Sequence, residues 1–321
     1  MVRGGERRAE SVVHAWVPGY PSWEGALAMG KMATLKEALV QLVIWIGLAR
    51  ATRMLLWRDR VAILLYHDPD PATLDRHLTY LSKFCDLVPF DDFSRPGAGR
   101  PRAAITLDDG HAGNADLLPV FIKHKVRPTI FLCSRIVGRP RMHWWMHPGA
   151  ERAGLERLKR QSNDTRVAEL EEAGFRQDGD DRATGLTISQ IEAMRPFVDF
   201  QSHTRFHPIL THCNDTECAD EIARSKHEVE ALVKRPCKHF AFPNGNYGPR
   251  EIELVKAAGY RTARTCDIGW NDERSDPFRL RTMIIGDTAS TALLAVQLTG
   301  IPRLLKYWLR SGRWDGRFPQ F

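Results

Sequence analysis

Short, mostly apolar runs that end in polar residues constrain the fold of this chain more than any other feature of its sequence. The runs are Val61–Tyr66, Ala103–Leu107, Arg127–Cys133, Phe197–Phe200 and His239–Phe242. Runs without polar alternation are typical of strands buried on both faces, as in a parallel sheet covered by helices. Helical patterns separate the runs, as the crossovers of a parallel sheet require. The sequence therefore predicts an α/β fold.

The polar residues that follow these runs favour one architecture within this class. A (β/α) barrel collects such residues at a single face, formed by the carboxyl ends of its strands. A doubly wound open sheet is the alternative, but it more naturally carries a glycine-rich nucleotide loop after a strand, and this sequence has none. We therefore predict an irregular (β/α) barrel with an N-terminal helical extension.

Breaks in the strand–helix rhythm predict the domain organisation. Residues 1–58 are expected to be a polar N-terminus followed by an amphipathic helix, residues 59–290 the barrel, and residues 291–321 a C-terminal helical tail. Residues 139–190 interrupt the rhythm with a tryptophan-rich turn and a strongly charged stretch. We predict an insertion there, which is either a rim or lid of the site or a solvated connector.

An apolar run, Ala38–Ala49, precedes the first predicted strand and contains Gln41. At roughly 1.5 Å per residue it is too short to cross a hydrocarbon core of about 30 Å. Arginines at positions 50, 53, 58 and 60 follow it, with apolar residues among them. This composition is typical of a helix lying in a membrane interface, and a helix packed on its own domain explains it equally well. A translation start at Met29 or Met32 would place the run near the N-terminus.

Charge and cysteine content limit the partners and the compartment. Residues 1 to about 30 have no apolar core, so we expect no cleavable signal peptide from Met1 and a protein that is cytoplasmic or peripheral on the inner face of the membrane. A formal net charge of +7 permits contact with an anionic membrane. We expect no nucleic acid partner, because basic residues interleave with aromatics only in the membrane-like segment. The six cysteines form no CxxC pair, which favours reduced thiols.

Two adjacent carboxylates, Asp108 and Asp109, follow the second apolar run. Neighbours on a strand point to opposite faces, but at a strand end before Gly110 both can turn towards one site. One of them could bind a metal ion while the other accepts a proton from bound water. Taken alone, this motif is more often a simple turn.

Two histidines, His203 and His207, follow the fourth run. Pro208 disfavours helical geometry at His207, so the pair is expected on a loop. Two imidazoles and a carboxylate make a three-ligand site for Zn²⁺ or a similar divalent ion. A single HxxxH motif is weak evidence in a chain with 12 histidines.

Taken together, these motifs resemble those of the polysaccharide deacetylases (NodB-homology family, carbohydrate esterase family four). The resemblance rests on ITLDDG, SHTRFHP and FAFPNGNY and covers about residues 60–285. The family has an irregular (β/α) barrel and removes acetyl groups from glycans with a divalent metal, usually zinc. The resemblance implies a hydrolase of non-peptide carbon–nitrogen bonds, acting on an N-acetylated glycan such as a chitooligosaccharide or an exopolysaccharide.

The resemblance also implies a role for each motif residue. Asp108 is implied as the catalytic base, and the metal ligands are Asp109, His203 and His207. The metal is expected to be Zn²⁺, with Co²⁺, Ni²⁺ and Mn²⁺ as alternatives. The predicted substrate-binding residues, which include a tryptophan as a stacking platform for a sugar ring, are Phe242, Pro243, Asn244, Tyr247 and Trp270.

The sequence departs from the family pattern at two positions. Where the family has an arginine that pairs with the base, two residues before the proline, this chain has Ala241. We predict that Arg279 or Arg281 supplies the charge instead. The family's late Leu-x-His motif, which provides the general acid, is absent. Because His67 follows Tyr66 as in exopolysaccharide deacetylases with an early histidine, we predict His67 as the acid.

Two other functions stay open at this point. A non-catalytic glycan-binding relative would keep the barrel and lose catalysis, and the missing arginine favours this interpretation. A metal-dependent amidohydrolase acting on a non-carbohydrate amide would use the same constellation, because the chemistry suits any amide carbonyl.

Overall fold

A computed structural model of the protein describes residues 47–94, 99–179 and 182–300. Most of the predicted N-terminal segment (residues 1–46) and the end of the predicted tail (residues 301–321) lie outside the described residues. Within the described part, the helices are all too short or too polar to span a bilayer.

Parallel strands form a closed barrel, which confirms the predicted fold class. In chain order the strands are β1 (Val61–Tyr66), β2 (Asp86–Leu87), β3 (Arg102–Leu107), β4 (Thr129–Leu132), β5 (Asp199–Ser202), β6 (His239–Ala241), β7 (Thr262–Ile268) and β8 (Leu280–Ile284). Seven of them follow each other around the ring in the order β1, β3, β4, β5, β6, β7, β8, and β8 pairs with β1. Strand β2 lies outside the ring, alongside the first two residues of β3.

Helices surround the barrel and connect its strands. They are α1 (Leu48–Leu55), α2 (Pro71–Leu81), α3 (Leu118–His124), α4 (Pro148–Ala153), α5 (Leu155–Leu158), α6 (Asn163–Glu172), α7 (Ile188–Met194), α8 (Asp215–Val233), α9 (Pro249–Ala257) and α10 (Thr291–Gln297). Local sequence fixes several of their ends. Asp70 caps α2 by accepting the amide of Thr73, and Gly259 ends α9 with a left-handed φ of 77°.

The strands are buried on both faces, as their continuous apolar pattern predicts. All six residues of β1 and all six of β3 are buried. One core lies between the barrel and its helices, and a second fills the barrel interior with Val61, Ile63, Phe90, Ala104, Phe131, Ala241 and Leu280. The barrel is therefore a packed structure that opens only at its ends.

The insertion at residues 139–190 has a small core of its own. Helices α4 to α6 enclose a hydrophobic cluster of Trp144, Ala150, Leu158, Leu170 and Phe175. The indole Nε1 of Trp144 donates a hydrogen bond to the carbonyl oxygen of His207 at 3.1 Å. The insertion thus packs against the loop that follows β5, at the carboxyl-end mouth of the barrel.

Candidate active site

Asp109, His203 and His207 converge at the mouth of the barrel, after the carboxyl ends of β3 and β5. Their ligand atoms all lie within 4.8 Å of one another. Asp109 Oδ1 is 3.5 Å from His203 Nε2 and 3.4 Å from His207 Nε2. The structure therefore brings together the three predicted metal ligands. His207 lies on a loop, as the following proline indicates.

The protonation and hydrogen bonding of this cluster suit a divalent cation. His203 Nδ1 is 2.8 Å from the carbonyl oxygen of Ala241 and donates to it, which leaves a lone pair on the Nε2 that faces Asp109. Asp109 Oδ1 is buried and accepts no hydrogen bond from the described residues. Burial lowers the pKa of His203 and holds that of His207 well below its usual value. Neutral imidazoles and a bare carboxylate oxygen that face each other fit a shared metal ion.

The loops at the mouth of the barrel adopt unusual backbone conformations. Positive φ angles occur at Asp109 (71°), Thr204 (65°), His207 (58°) and Asn244 (56°). Such angles cost non-glycine residues on the order of 1–3 kcal/mol each and persist where the surrounding structure enforces them. Gly110 also has a positive φ, and a Cβ there would lie 2.6 Å from Leu132 Cδ2. The DDG motif is thus a turn, as its composition indicates, and the turn aims Asp109 into the site.

Helix α8 fixes the loop between the two histidines. The carboxylate of Glu221 accepts the amide of Arg205 at 2.8 Å and the amide of Phe206 at 3.1 Å. Burial raises the pKa of Glu221 to about 7. Arg205 itself bonds to Asp220 and Glu228 of the same helix. The two contacts of Glu221 with loop amides hold the backbone that carries His203 and His207.

Asp108 lies beside the cluster and is paired with an arginine. Both of its carboxylate oxygens contact Nη2 of Arg264, and its Oδ2 is 3.7 Å from His203 Nε2. Arg264 is fully buried in the barrel interior, with its guanidinium 5.1 Å from the centroid of the Phe131 ring. The guanidinium balances the charge of Asp108 and fixes its orientation, so this carboxylate is held next to the metal ligands without being one of them.

The prediction that Arg279 or Arg281 pairs with Asp108 is wrong. The guanidinium of Arg279 lies over the Tyr247 ring, 5.5 Å from its centroid, and Arg281 is exposed on β8. Arg264 supplies the charge because it is the direct partner of Ala241 across the β6–β7 ladder. The sequence analysis missed Arg264 because it predicted no strand at Thr262–Ile268, the segment that forms β7.

His67 follows β1 and lies close to Asp108 along the β1–β3 ladder. The amide of Asp108 donates to the carbonyl oxygen of Tyr66, the residue before His67, at 3.0 Å. The amide of His67 donates to Asp287 Oδ1 at 3.1 Å, and its carbonyl oxygen accepts from Asn114 at 2.9 Å. The residue is half-buried, and its imidazole has no hydrogen bond with the part of the chain that the structure describes. The structure thus fixes the His67 backbone at the mouth. Its role as the acid stays a prediction.

His111 is a site residue that the sequence analysis missed, although it follows the DDG motif directly. Its Nε2 lies 3.1 Å from Asp109 Oδ2, so the carboxylate of Asp109 is shared between His111 and the cluster. Burial opposes a charge on His111, but the hydrogen bond and the charge of Asp109 outweigh burial and raise its pKa. His111 therefore orients the carboxylate ligand.

The insertion adds two more side chains to the site. His143 Nε2 is 3.3 Å from the carbonyl oxygen of Asp109, and burial lowers the pKa of His143 to about 3. The half-buried ring of Trp145 lies 4.4 Å, centroid to centroid, from that of His207. The sequence shows both residues in the tryptophan-rich turn, but not that this turn folds over the metal ligands.

The predicted substrate-binding residues divide into three groups. Phe242, Pro243 and Tyr247 are buried and support the loop after β6, where Phe242 and Tyr247 stack at 5.2 Å. Asn244 is half-buried on the same loop and remains a candidate. The prediction for Trp270 is wrong, because its neighbour Asn271 pairs with Val61 at the amino end of β1. That end of the barrel is opposite the cluster.

Comparison with known proteins points to one family. Residues 96–263 match the family model described as polysaccharide deacetylase, and no curated protein matches the chain. Among solved structures, the Streptococcus pyogenes deacetylase PplD in complex with acetate is similar, with a TM-score of 0.55, 16% identity and coverage of 74% of this chain and 97% of that one.

Two further structures share the fold. BC0361, a polysaccharide deacetylase from Bacillus cereus, has a TM-score of 0.52 and 18% identity, covering 75% of this chain and 69% of that one. IcaB from Ammonifex degensii has a TM-score of 0.53 and 16% identity, covering 76% and 99%.

Proposed function

Because the chain belongs to the polysaccharide deacetylase family and is thus a deacetylase, we propose that it is a metal-dependent enzyme that removes acetyl groups from the N-acetylated sugars of a poly- or oligosaccharide. The observation that carries this proposal is the convergence of Asp109, His203 and His207 on one point, with the arginine-paired carboxylate of Asp108 beside them. A chitooligosaccharide or an exopolysaccharide is the proposed substrate class.

Asp109 Oδ1, His203 Nε2 and His207 Nε2 would hold the cation, for which we propose Zn²⁺, or Co²⁺, Ni²⁺ or Mn²⁺. When bound, such an ion polarises an acetyl carbonyl and lowers the pKa of a coordinated water. His111 and the carbonyl oxygen of Ala241 orient two of the three ligands by hydrogen bonds at 3.1 and 2.8 Å.

Asp108 acts as the general base in this proposal. Its carboxylate takes a proton from the attacking water while the water oxygen forms a bond to the carbonyl carbon. Arg264 keeps the carboxylate in position during this transfer. The carbon–nitrogen bond then breaks, and the acetyl group leaves as acetate.

The departing amine needs a proton, because an amide anion is a very poor leaving group. We assign this donation to His67, whose imidazole has no hydrogen bond within the described residues. His111 is less suited, because its Nε2 already bonds to Asp109.

The Arg264–Asp108 pair bears on the choice between an enzyme and a glycan-binding relative. The absence of the family arginine at Ala241 was the feature that favoured loss of catalysis. Since Arg264 contacts the same carboxylate from the adjacent strand, the alanine at position 241 no longer favours a loss of catalysis. The half-buried ring of Trp145 above His207 is suited to contact a sugar face or an acetyl methyl group.

The test is acetate release by the metal-reconstituted protein from chitooligosaccharides, from β-1,6-linked N-acetylglucosamine oligomers and from an N-acetylated peptide. We expect release from at least one of the two sugars, loss of release with a chelator, and recovery on adding Zn²⁺. Release from the peptide alone would indicate the amidohydrolase alternative. Release unaffected by a chelator would contradict the metal-dependent mechanism.

A further inference from the structure

Exposed hydrophobic side chains concentrate at one place on the described surface. Three consecutive residues at the end of α1 are largely exposed, Met54 at 60%, Leu55 at 80% and Leu56 at 48%. The other large exposed hydrophobic residues of the described chain are isolated on separate elements: Ile122, Ile188 and Phe197. Scattered exposed residues of this kind are ordinary, but a contiguous group marks an interaction surface.

Arginines flank this group and complete what we call the apolar-basic surface, namely Arg50, Met54, Leu55, Leu56 and Arg58. A groove of about 430 Å³ opens here, and its lining residues are Arg50, Met54, Arg58, Phe84, Gly99 and Pro101. Both arginines are exposed, and neither has an ion pair with another described residue. The adjacent carboxylate, Asp59, is engaged by the amide of Gly99 at 3.2 Å.

The apolar-basic surface lies at the end of the barrel opposite the catalytic mouth. Trp57 joins α1 to the barrel, and its indole donates to the carbonyl oxygen of Arg102, the first residue of β3, at 2.8 Å. Asp109 lies just past the other end of the same strand. At roughly 3.3 Å per residue, the six residues of β3 separate the two levels by about 20 Å.

We propose that the apolar-basic surface docks the protein on an anionic lipid surface, with the catalytic mouth facing away from the lipid. The charge of Arg50 and Arg58 complements anionic headgroups. The three apolar side chains between them can enter the boundary between headgroups and acyl chains, as those of an interfacial helix do. The sequence leading into α1 agrees with this occupant, because residues 38–49 carry no charged side chain. Binding of a folded protein partner would not require an uncharged segment before α1.

This orientation restricts which glycans can reach the catalytic mouth, an inference that rests on the proposed function. A mouth held about 20 Å from the lipid, on the distal side of the barrel, cannot reach a sugar attached directly to a lipid headgroup. It suits a glycan chain that is free in solution or extends well beyond the membrane surface.

Sedimentation of the full-length protein with lipid vesicles tests the docking. We expect binding to vesicles of phosphatidylcholine with phosphatidylglycerol, weaker binding to phosphatidylcholine alone, and weakening with salt. The variant Met54→Ser/Leu55→Ser/Leu56→Ser should bind at least about tenfold more weakly. The matched control, Ile122→Ser/Ile188→Ser/Phe197→Ser, should bind like the wild type, and circular dichroism reports whether each variant folds.

The docking would be overturned by no vesicle binding of the wild type, by equal binding to neutral and anionic vesicles, or by undiminished binding of the Met54/Leu55/Leu56 variant. The last result would assign any binding to other parts of the chain. Concentration-dependent self-association that is lost only in that variant would also overturn it, by assigning the surface to a second copy of the chain. None of these readouts uses catalysis, so they fail independently of the proposed function.

Alkylation of introduced cysteines tests the orientation. All six native cysteines are buried, so a surface cysteine reacts selectively with a water-soluble maleimide. Leu55→Cys lies on the apolar-basic surface, and Asp116→Cys is exposed on the turn that follows β3 at the mouth. Anionic vesicles should slow labelling of the Leu55→Cys variant several-fold and leave the Asp116→Cys variant unchanged. Protection of the Asp116→Cys variant, or of neither, would contradict the orientation.

Discussion

Arg264 contacts both carboxylate oxygens of Asp108 inside the barrel, from the strand next to the one where the family pattern has its arginine. The family position is Ala241, which is the direct partner of Arg264 across the β6–β7 ladder. A small residue on β6 leaves room for the long side chain from β7. The ion pair of the family pattern is therefore kept, but its arginine comes from β7 and not from β6.

Removal of the Arg264 guanidinium should impair catalysis and lower the stability of the fold. In Arg264→Met the carboxylate of Asp108 loses its only strong partner among the described residues, so we expect kcat to fall about 10²-fold through misplacement of the base. The free energy of unfolding should fall by about 3–5 kcal/mol, as when one partner of a buried pair is removed. Steady-state kinetics and urea denaturation measure the two effects.

The control for this prediction restores the charge from the neighbouring strand. Ala241→Arg/Arg264→Ala carries the arginine at the family position, and it should recover part of the activity that Arg264→Ala loses. Full activity in Arg264→Met, or no difference between the single and the double variant, would contradict the assigned role of Arg264.

The loss of kcat in His67→Ala should be larger for a more basic leaving group. For an N-acetyl sugar the amine must be protonated as it departs, so His67→Ala should lower kcat by about 10²–10⁴-fold. From a nitrophenyl acetate ester the nitrophenolate anion leaves without protonation, so hydrolysis of that ester should change little. A His67→Ala variant that loses both activities equally would show that His67 supports the structure of the site and does not act as the acid.

Glu221 should control metal affinity without contacting the metal. Glu221→Ala frees the amides of Arg205 and Phe206, so we expect binding of Zn²⁺ to weaken by about tenfold or more, as for other residues that support metal ligands. Glu221→Gln keeps an acceptor oxygen and should retain most of the affinity. Glu228→Gln, on the same helix, is the control, because Glu228 contacts the side chain of Arg205 and not the loop amides. Competition with a chromophoric chelator gives the affinities.

His143 should make the metal-free protein less stable as the pH falls. Its pKa is about 3 in the folded state and about 6.5 in the unfolded chain. Between these values the unfolded chain binds more protons, so the free energy of unfolding decreases with falling pH by up to about 1.4 kcal/mol per pH unit. His143→Gln removes this contribution. Urea denaturation of both proteins at pH 7, 6 and 5 with chelator should show a shallower pH dependence for the variant, whereas parallel curves would contradict the buried neutral His143.

The sequence predicts the barrel and the metal cluster because both follow from local patterns. Apolar runs mark the strands, and Asp109, His203 and His207 lie in the loops that follow β3 and β5, where a parallel barrel gathers them at one face. The glycine after Asp109 and the proline after His207 also indicate correctly that these residues lie in turns.

The missed features depend on long-range relationships. Arg264 and Asp108 are 156 residues apart, and their contact depends on which side chains of β7 point into the barrel. His143 and Trp145 enter the site only because the insertion folds over the mouth. Trp270 was misplaced because the chain after β7 runs to the amino end of β1, which no local pattern indicates.

Metal content and acetate release measured together in Asp108→Asn and His203→Ala separate the base from the metal ligands most directly. We expect Asp108→Asn to retain one equivalent of metal and lose turnover, because only the base is removed. We expect His203→Ala to lose the metal itself. Equal metal loss in both variants, or turnover in Asp108→Asn near that of the wild type, would contradict the division of roles between base and ligands.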